Sequence, residues 1–315
     1  MNPASDSVLA LVVSYNTRDV TLRCVAALQA SRGVRVRVVV ADNGSQDGSA
    51  ASIERCYPEV HVLRCGSNLG FGRANNHAFE CEQGSFVLLV NADCFVQPDT
   101  IAACLAFLKR TSGASAVACQ LRRVDGSIQP SCRRFPSLAG EVARISFPVQ
   151  LLRRLPHLGS YFMAGWDHDT LRTVDQPAGA FLLIRNGAWG EGPLFDERFF
   201  MYFEDVDLCR RLWRRGPIWF LPTVHAVHIG EHSTAQVRVT MASALAESRY
   251  KYFAKWHGTR VARSVAIIDA VGGAVRACAW SLGAALGIGY DAKTRAVAHR
   301  VGARSSLSKA LSRHP

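Results

Sequence analysis

The chain has 315 residues, 49% of them hydrophobic and 20% charged, which excludes a disordered or fibrous protein and leaves room for one large α/β domain with additions, or for two domains. The formal net charge is +12, and it is uneven: beyond residue 240, twelve Lys and Arg face only Glu247, Asp269 and Asp291. That asymmetry predicts a basic tail meeting an anionic surface, while the near balance elsewhere argues against a nucleic-acid groove through the main domain.

Ten cysteines without a C-x-x-C pair, and an N-terminus without a basic-then-apolar leader, give the expectation of a reduced, cytoplasmic protein. Lys109 is the one lysine before residue 250, and the chain has neither G-x-x-x-x-G-K-[ST] nor G-x-S-x-G. Schiff-base, P-loop and nucleophile-elbow chemistries therefore fall away.

Leu9 to Val13 is an apolar run, read as the first strand, ending in Ser14-Tyr15-Asn16. Val20 to Leu28 has helical periodicity, with Asn16 or Thr17 as cap and Gly33 as stop. Arg35 to Ala41 is the second strand, closed by the turn formers Asp42-Asn43-Gly44-Ser45. Val60 to Leu63 is a short strand, Phe71 to Cys81 a helix, and Ser85 to Val90 a strand bounded by Asn91-Ala92-Asp93. Pro98 opens a helix to about Lys109, and Ala114 to Leu121 is a strand. Residues 122 to 175, rich in Arg and Pro, read as a long, partly ordered excursion over the crevice.

Gly179 to Arg185 returns as a strand, and Asp205 to Arg214 is a helix with an acidic start and a basic end. Ile218 to Val227 is a strand region broken by Pro222, and Ala242 to Phe253 is a helix. Val261 to Tyr290 is strongly apolar but holds Asp269 and Arg276. A spanning helix needs about 20 uninterrupted apolar residues. Two short helices fit better, either on a membrane face or packed as a pair on the main domain.

Apolar strands separated by helices predict a mostly parallel, mixed sheet covered on both faces, spanning residues 1–240, with a helical extension over 241–315. Ligands of such sheets sit beyond the carboxyl ends of the strands. Asn16, Asp42, Asn68, Asn91 and Asp93 are thus expected to converge on one crevice.

Three pieces carry a family resemblance. The first is Val12-Val13-Ser14-Tyr15-Asn16 with the run from Ala41 to Ser49. The second is Asn68-Leu69-Gly70-Phe71-Gly72-Arg73-Ala74-Asn75-Asn76 followed by Asn91-Ala92-Asp93. The third is Gly179-Ala180-Phe181, then Phe195 through Glu204-Asp205-Val206-Asp207 to Arg211. In order and spacing, residues 8 to 235 resemble the inverting family 2 glycosyltransferases of GT-A fold, in their bacterial rhamnosyltransferase-like branch.

The resemblance implies transfer of a sugar from a nucleoside diphosphate to a glycan or lipid-linked acceptor, with inversion. Asn16 and Asp42 would hold the base and ribose, beside Asn68. Gly70 would let a helix start approach the donor. The Gly70-x-Gly72-x-x-Asn75 run lacks the third glycine and follows the third strand, so it is not a dinucleotide fingerprint. Asn91-Ala92-Asp93 stands where the family carries its D-x-D motif, leaving Asp93 as the one carboxylate for Mg²⁺ or Mn²⁺ on the diphosphate.

His225, His228 and His232 are spaced three and four apart, but in strand and loop the first two point oppositely, against a zinc site. His228, ahead of Gly230 and Ser233, best matches the family's metal- or diphosphate-assisting histidine; His232 competes, and a structural histidine stays open. By the resemblance Asp205 is the general base and Glu204 orients it or the acceptor. Asp207, two residues on, is turned away to pair with an Arg such as Arg211. The alternatives are a sugar nucleotidyltransferase, which would need a Gly-rich first loop with Lys or Arg, and a non-catalytic scaffold. The tail is expected to make the protein peripheral on the inner face of the cell membrane.

Overall fold

The computed structural model describes residues 7–147, 149–152, 159–230, 238–287 and 292–312; His232, Tyr290 and Asp291 lie outside them. The elements begin with β1 (Ser7–Ser14), α1 (Arg18–Gln29), β2 (Arg35–Asp42), α2 (Ser49–Cys56), β3 (His61–Arg64), α3 (Phe71–Cys81) and β4 (Phe86–Asn91). They continue with β5 (Cys94–Val96), α4 (Thr100–Arg110), β6 (Ala116–Arg122), β7 (Cys132–Arg133), α5 (Leu138–Ser146) and α6 (Val149–Leu152). Then come β8 (Arg172–Val174), β9 (Gln176–Pro177), β10 (Phe181–Arg185), α7 (Glu204–Trp213), β11 (Ile218–His228), α8 (Arg238–His257), α9 (Thr259–Ala285) and α10 (Ala292–Leu311). The chain divides into two compact units, one of residues 1–134, 166–197 and 205–233, the other of 135–165, 198–204 and 234–315.

The first unit is built on a mixed sheet in the order β3-β2-β1-β4-β10-β6-β11-β5, with β8 also paired to β11. β1 to β4 are parallel, and β10 enters antiparallel between β4 and β6. Val8, Ala10 and Val12 share a core with Cys24, Val25 and Leu28 of α1 and Ile101, Leu105 and Leu108 of α4. The period of two in the strand meets the period of 3.6 in the helices, which is why these short segments fold as they do.

Residues 49–56, given no element in the sequence, form α2. Two expectations change here. β11 is not broken by Pro222: it runs from Ile218 to His228 with a register shift between Leu221 and His225, an irregularity of the kind that tolerates a proline. The segment from 122 to 175 is more regular than an excursion, holding β7, α5, α6 and β8.

The second unit is helical. The apolar segment is one helix, α9, of 27 residues rather than two short ones. Gly272 and Gly273 sit mid-helix at about 1 kcal/mol each relative to Ala, yet their missing side chains admit neighbours. A Cβ on Gly272 would stand 2.8 Å from Ile145 Cγ2, and one on Gly273 would stand 3.0 Å from Ala303 Cβ. The charges read as interruptions are absorbed within the unit. Asp269 accepts from both Arg144 and Arg249, Arg144 also pairs with Glu141 at 2.8 Å, and Arg276 donates to the Arg144 carbonyl at 2.9 Å.

Candidate functional site

The site grows from the carboxyl ends of the parallel strands. Ser14 lies opposite Asp42, and Val13 opposite Asn91, so these residues share one edge of the sheet. Asp42 is 5% exposed, and its Oδ1 is buried with no hydrogen bond among the described residues. A buried acceptor without a donor costs about 1–3 kcal/mol. A ligand N–H placed there would remove that cost.

Side chains latch the loops above this edge. The Asn16 N–H donates to Ser45 Oγ (3.0 Å), and Asn16 Oδ1 accepts from the Gln46 N–H (2.8 Å). Asn16 has φ 52°, a left-handed conformation that Asn tolerates better than most residues. Asp47 accepts from the Arg18 N–H (2.9 Å) and the Ser49 N–H (3.0 Å), joining the first two strand ends. Asn43 joins the second to the third. Its amide donates to Asn68 Oδ1 (3.0 Å) and the Gly70 carbonyl (3.3 Å), and its Oδ1 accepts from the Leu69 N–H (2.8 Å). Asn68 Oδ1 also accepts from the Gly70 N–H (3.0 Å).

Sequence reasoning assigned no role to Asn43 or Asp47. Their signal was their place among turn formers at a strand end, which does not say which strand they bind. Gly44 completes this junction with φ +83°, and a Cβ there would meet Ser67 Cα at 2.8 Å. Gly44→Ala is therefore expected to destabilise the fold by about 1–3 kcal/mol, read as a lower midpoint in chemical denaturation at unchanged slope.

Antiparallel pairing sets His228 of β11 opposite Cys94 of β5, directly after Asp93. His228 Nε2 lies 3.4 Å from Asp93 Oδ1, and His228 Nδ1 lies 3.0 Å from Gln129 Oε1. Asp93 Oδ2 accepts from the Gly230 N–H at 3.0 Å. Burial works against the Asp93 charge, but His228 and the Gly230 N–H outweigh it, and the carboxyl titrates below its ordinary range. With Nδ1 held by Gln129 Oε1, His228 aims Nε2 at a carboxylate oxygen, and the two share a proton there. A cation can take that proton's place. The pair thus fits a divalent ion, and among the described residues no group of three His, Cys, Asp or Glu gathers to hold one. The remaining coordination would come from ligand oxygens and water. His225 is separate, its carbonyl accepting from Thr100 Oγ1 at 2.7 Å.

β10 runs antiparallel to β4 with Phe181 opposite Val90, and the Asn91 N–H donates to the Ala180 carbonyl at 3.1 Å. Gly179 therefore lies at the edge that holds Asp42 and Asn91. A Cβ on Gly179 would stand 3.4 Å from Asp205 Cβ and 3.6 Å from its Oδ2, so α7 delivers the Asp205 carboxylate to that same edge. Asp205 Oδ1 accepts from the Val206 N–H at 2.8 Å. Burial pushes the Asp205 carboxyl above its ordinary value, restrained by the Val206 and Gly179 N–H groups and the Arg133 charge. A carboxylate moved toward neutrality is a better proton acceptor than an ordinary one.

Glu204 is the first residue of α7 and is buried. It follows Tyr202 and Phe203, whose φ values of 66° and 63° are left-handed, a strained conformation for aromatic residues that clusters at functional sites. Asp207, fully buried, bonds Arg211 at 3.2 Å, as expected. Asn76, another residue without an assigned role, bonds the Phe195 main chain at 2.8 and 2.9 Å, tying α3 to the segment before α7.

The family model for Glycosyl transferase family 2 matches residues 10–159. The N-acetylglucosaminyl-diphospho-decaprenol L-rhamnosyltransferase of Mycobacterium tuberculosis is 32% identical over 268 residues, 80% of this chain and 86% of the relative. Rhamnosyltransferase WbbL of Escherichia coli K12 is 27% identical over 200 residues, 60% of this chain and 72% of the relative. Among solved structures, Staphylococcus aureus TarS 1–349 superposes with a TM-score of 0.52 at 15% identity, covering 98% of this chain and 93% of that one. The mannosyltransferase PcManGT of Pyrobaculum calidifontis, in complex with GDP-Man and Mn²⁺, gives 0.51 at 16% identity over 98% and 88%. The parallel strand ends that gather Asn16 to Asp93 lie inside the matched span, and the mycobacterial likeness extends over 80% of the chain; the chain belongs to the family 2 glycosyltransferases and has their GT-A fold.

Proposed function

We propose that this glycosyltransferase moves rhamnose from its nucleoside diphosphate, dTDP-rhamnose, to a lipid-linked glycan with inversion. The observation that carries the reading is the meeting of Asp42, the Asp93–His228 pair and Asp205 at one edge of a single sheet. The two rhamnosyltransferase relatives support the sugar, and the decaprenol-linked acceptor of the mycobacterial one supports the lipid.

Asp42 Oδ1 accepts the pyrimidine N3–H, which explains a buried oxygen without a donor among the described residues. Asn16 and Asn68 hold their loops against base and ribose, Gly70 lets the start of α3 approach the donor, and Asn91 borders the diphosphate. Asp93 and His228 would hold a divalent cation, which when bound neutralises the departing diphosphate. Asp205 takes the proton from the acceptor hydroxyl as that oxygen attacks the anomeric carbon from the face opposite the leaving group. Glu204 orients the acceptor or the base. A lipid-linked acceptor would put the reaction at a membrane, and a nucleotide-sugar donor would put it on the cytoplasmic face.

Thermal stabilisation across a panel of nucleoside diphosphate sugars, followed by transfer assays on the best binder, tests this reading. Stabilisation by thymidine nucleotides with release of nucleoside diphosphate is expected. Release of pyrophosphate from a nucleoside triphosphate and a sugar phosphate would instead make the protein a nucleotidyltransferase, and binding without turnover would make it a scaffold. Asp93→Ala is expected to weaken donor binding in Mn²⁺ and to leave the weaker metal-free binding unchanged. Full activity in excess chelator would overturn the metal assignment.

A further inference from the structure

From Ile267 onward, helix α9 is turned inside out for a helix in water. Its buried positions hold the small residues Ala262, Ala266, Gly272, Gly273 and Ala277, with Val265 the one larger side chain among them. Of its four charges, Arg260 and Arg263 lie in the first turns, and the two in the apolar stretch face protein: Asp269 is held by Arg144 of α5 and Arg249 of α8, and Arg276 by the Arg144 carbonyl. From Ile267 onward its large aliphatic residues face out, except for the half-buried Ile268. Ile267, Val271, Val275, Leu282 and Leu286 are each 52–64% exposed, and Cys278 is exposed among them. Steps of four, four, three, four and four residues keep these six on one helical face. No exposed position from 267 to 286 carries a charge. At 1.5 Å per residue the stripe is about 28 Å long. An aqueous surface seldom leaves so continuous an apolar strip uncovered.

α10 packs beside α9 in the same unit, with Arg295 over the Trp280 ring at 4.8 Å and Arg300 donating to Ser281 Oγ at 2.7 Å. Its own outward face alternates charge and apolar surface. Lys293, Arg300 and Arg304 are exposed, and Val297, Leu307 and Leu311 stand between and beyond them at helical spacing.

We infer that the outer face of α9 docks onto an anionic phospholipid bilayer, lying in the plane of the interface with the basic residues of α10 on the headgroups. The helix is long and apolar enough to cross a bilayer. Crossing, however, would carry Asp269 and its partners Arg144 and Arg249 into hydrocarbon, which those ion pairs with α5 and α8 oppose. In the plane, the aliphatic stripe enters the acyl boundary while the ion pairs stay on the protein side. A second copy of the chain is a poorer cover, because it would bring the same basic α10 face against its like. Anionic headgroups supply the opposite sign. The inference is independent of the sugar transferred.

The full chain tests it, with Cys56, Cys65 and Cys81 each changed to Ser and an environment-sensitive fluorophore on Cys278. Vesicles of phosphatidylcholine alone are compared with vesicles containing phosphatidylglycerol. The chain is expected to float with the anionic vesicles at low salt, to be partly released at high salt, and to show a blue-shifted probe when bound. Val271→Asp together with Val275→Asp is expected to cut partitioning roughly tenfold or more. Nucleotide-induced thermal stabilisation should be unaffected, showing that the variant is folded and that the transferase reading stands apart. Partitioning unchanged by the double substitution overturns the inference. So does a lipid-free, concentration-dependent dimer that buries the Cys278 probe, which would make a second copy the cover. Binding that resists alkaline carbonate would show a spanning helix and overturn it as well.

Discussion

Asp205→Asn is expected to lower kcat by about 100- to 10,000-fold, the range a positioned general base contributes, while the donor dissociation constant stays within a factor of about two. The substitution is close to isosteric, and an Asn Oδ1 can still accept the Val206 N–H, while the amide NH2 takes the place of the oxygen that faces Gly179. What is lost is the capacity to take a proton. Because burial raises the Asp205 carboxyl, wild-type kcat should fall with acid at a pH above the ordinary carboxylate range, as the base becomes protonated. That limb should vanish from the residual activity of the variant. Single-turnover rates and nucleotide titrations separate the two quantities. An equal loss of donor affinity would place Asp205 in the nucleotide pocket and leave Glu204 as the next candidate base.

The sheet and its carboxyl edge were legible because β1, β2 and β4 are apolar runs closed by turn formers, and a parallel sheet fixes where such ends meet. What escaped was mostly non-local. β5 has three residues between Asp93 and Pro98, and its pairing partner β11 lies some 130 positions on; no local pattern marks it. α2 buries only Ser49, Ala50 and Ile53 behind Gly48, too few apolar positions to show a period. The Asn43–Asn68 and Asn76–Phe195 bonds span 25 and 119 residues, so each asparagine looked like an ordinary turn or helix residue. Asp269 was legible as a charge in an apolar run, but not as a satisfied one. Its partners are 125 and 20 residues away.

That cluster gives the second large expected effect. Asp269→Asn should destabilise the protein by about 3–5 kcal/mol, the cost of breaking a buried ion pair from one side. Arg144 and Arg249 would be left with Glu141 as their nearest acid, beside a third cation in Arg276. Burial opposes the Asp269 charge, but the Arg249 and Arg144 guanidiniums outweigh it and hold the carboxyl below its ordinary range. The pH dependence follows from that sign. A depressed folded-state pKa contributes stability above the unfolded-state value, and the contribution is lost as pH falls through the folded one. The wild type and the variant should therefore differ most in melting temperature near neutrality and converge in strong acid. Replacing the four residues together, Glu141→Leu, Arg144→Met, Arg249→Met and Asp269→Leu, should be far milder than the single change, because two acids and two bases leave together and Arg276 keeps its bond to the main-chain carbonyl of residue 144. If Asp269→Asn is itself nearly neutral at pH 7, the cluster is hydrated rather than buried. The inward turn of the charges on α9 would then need another explanation.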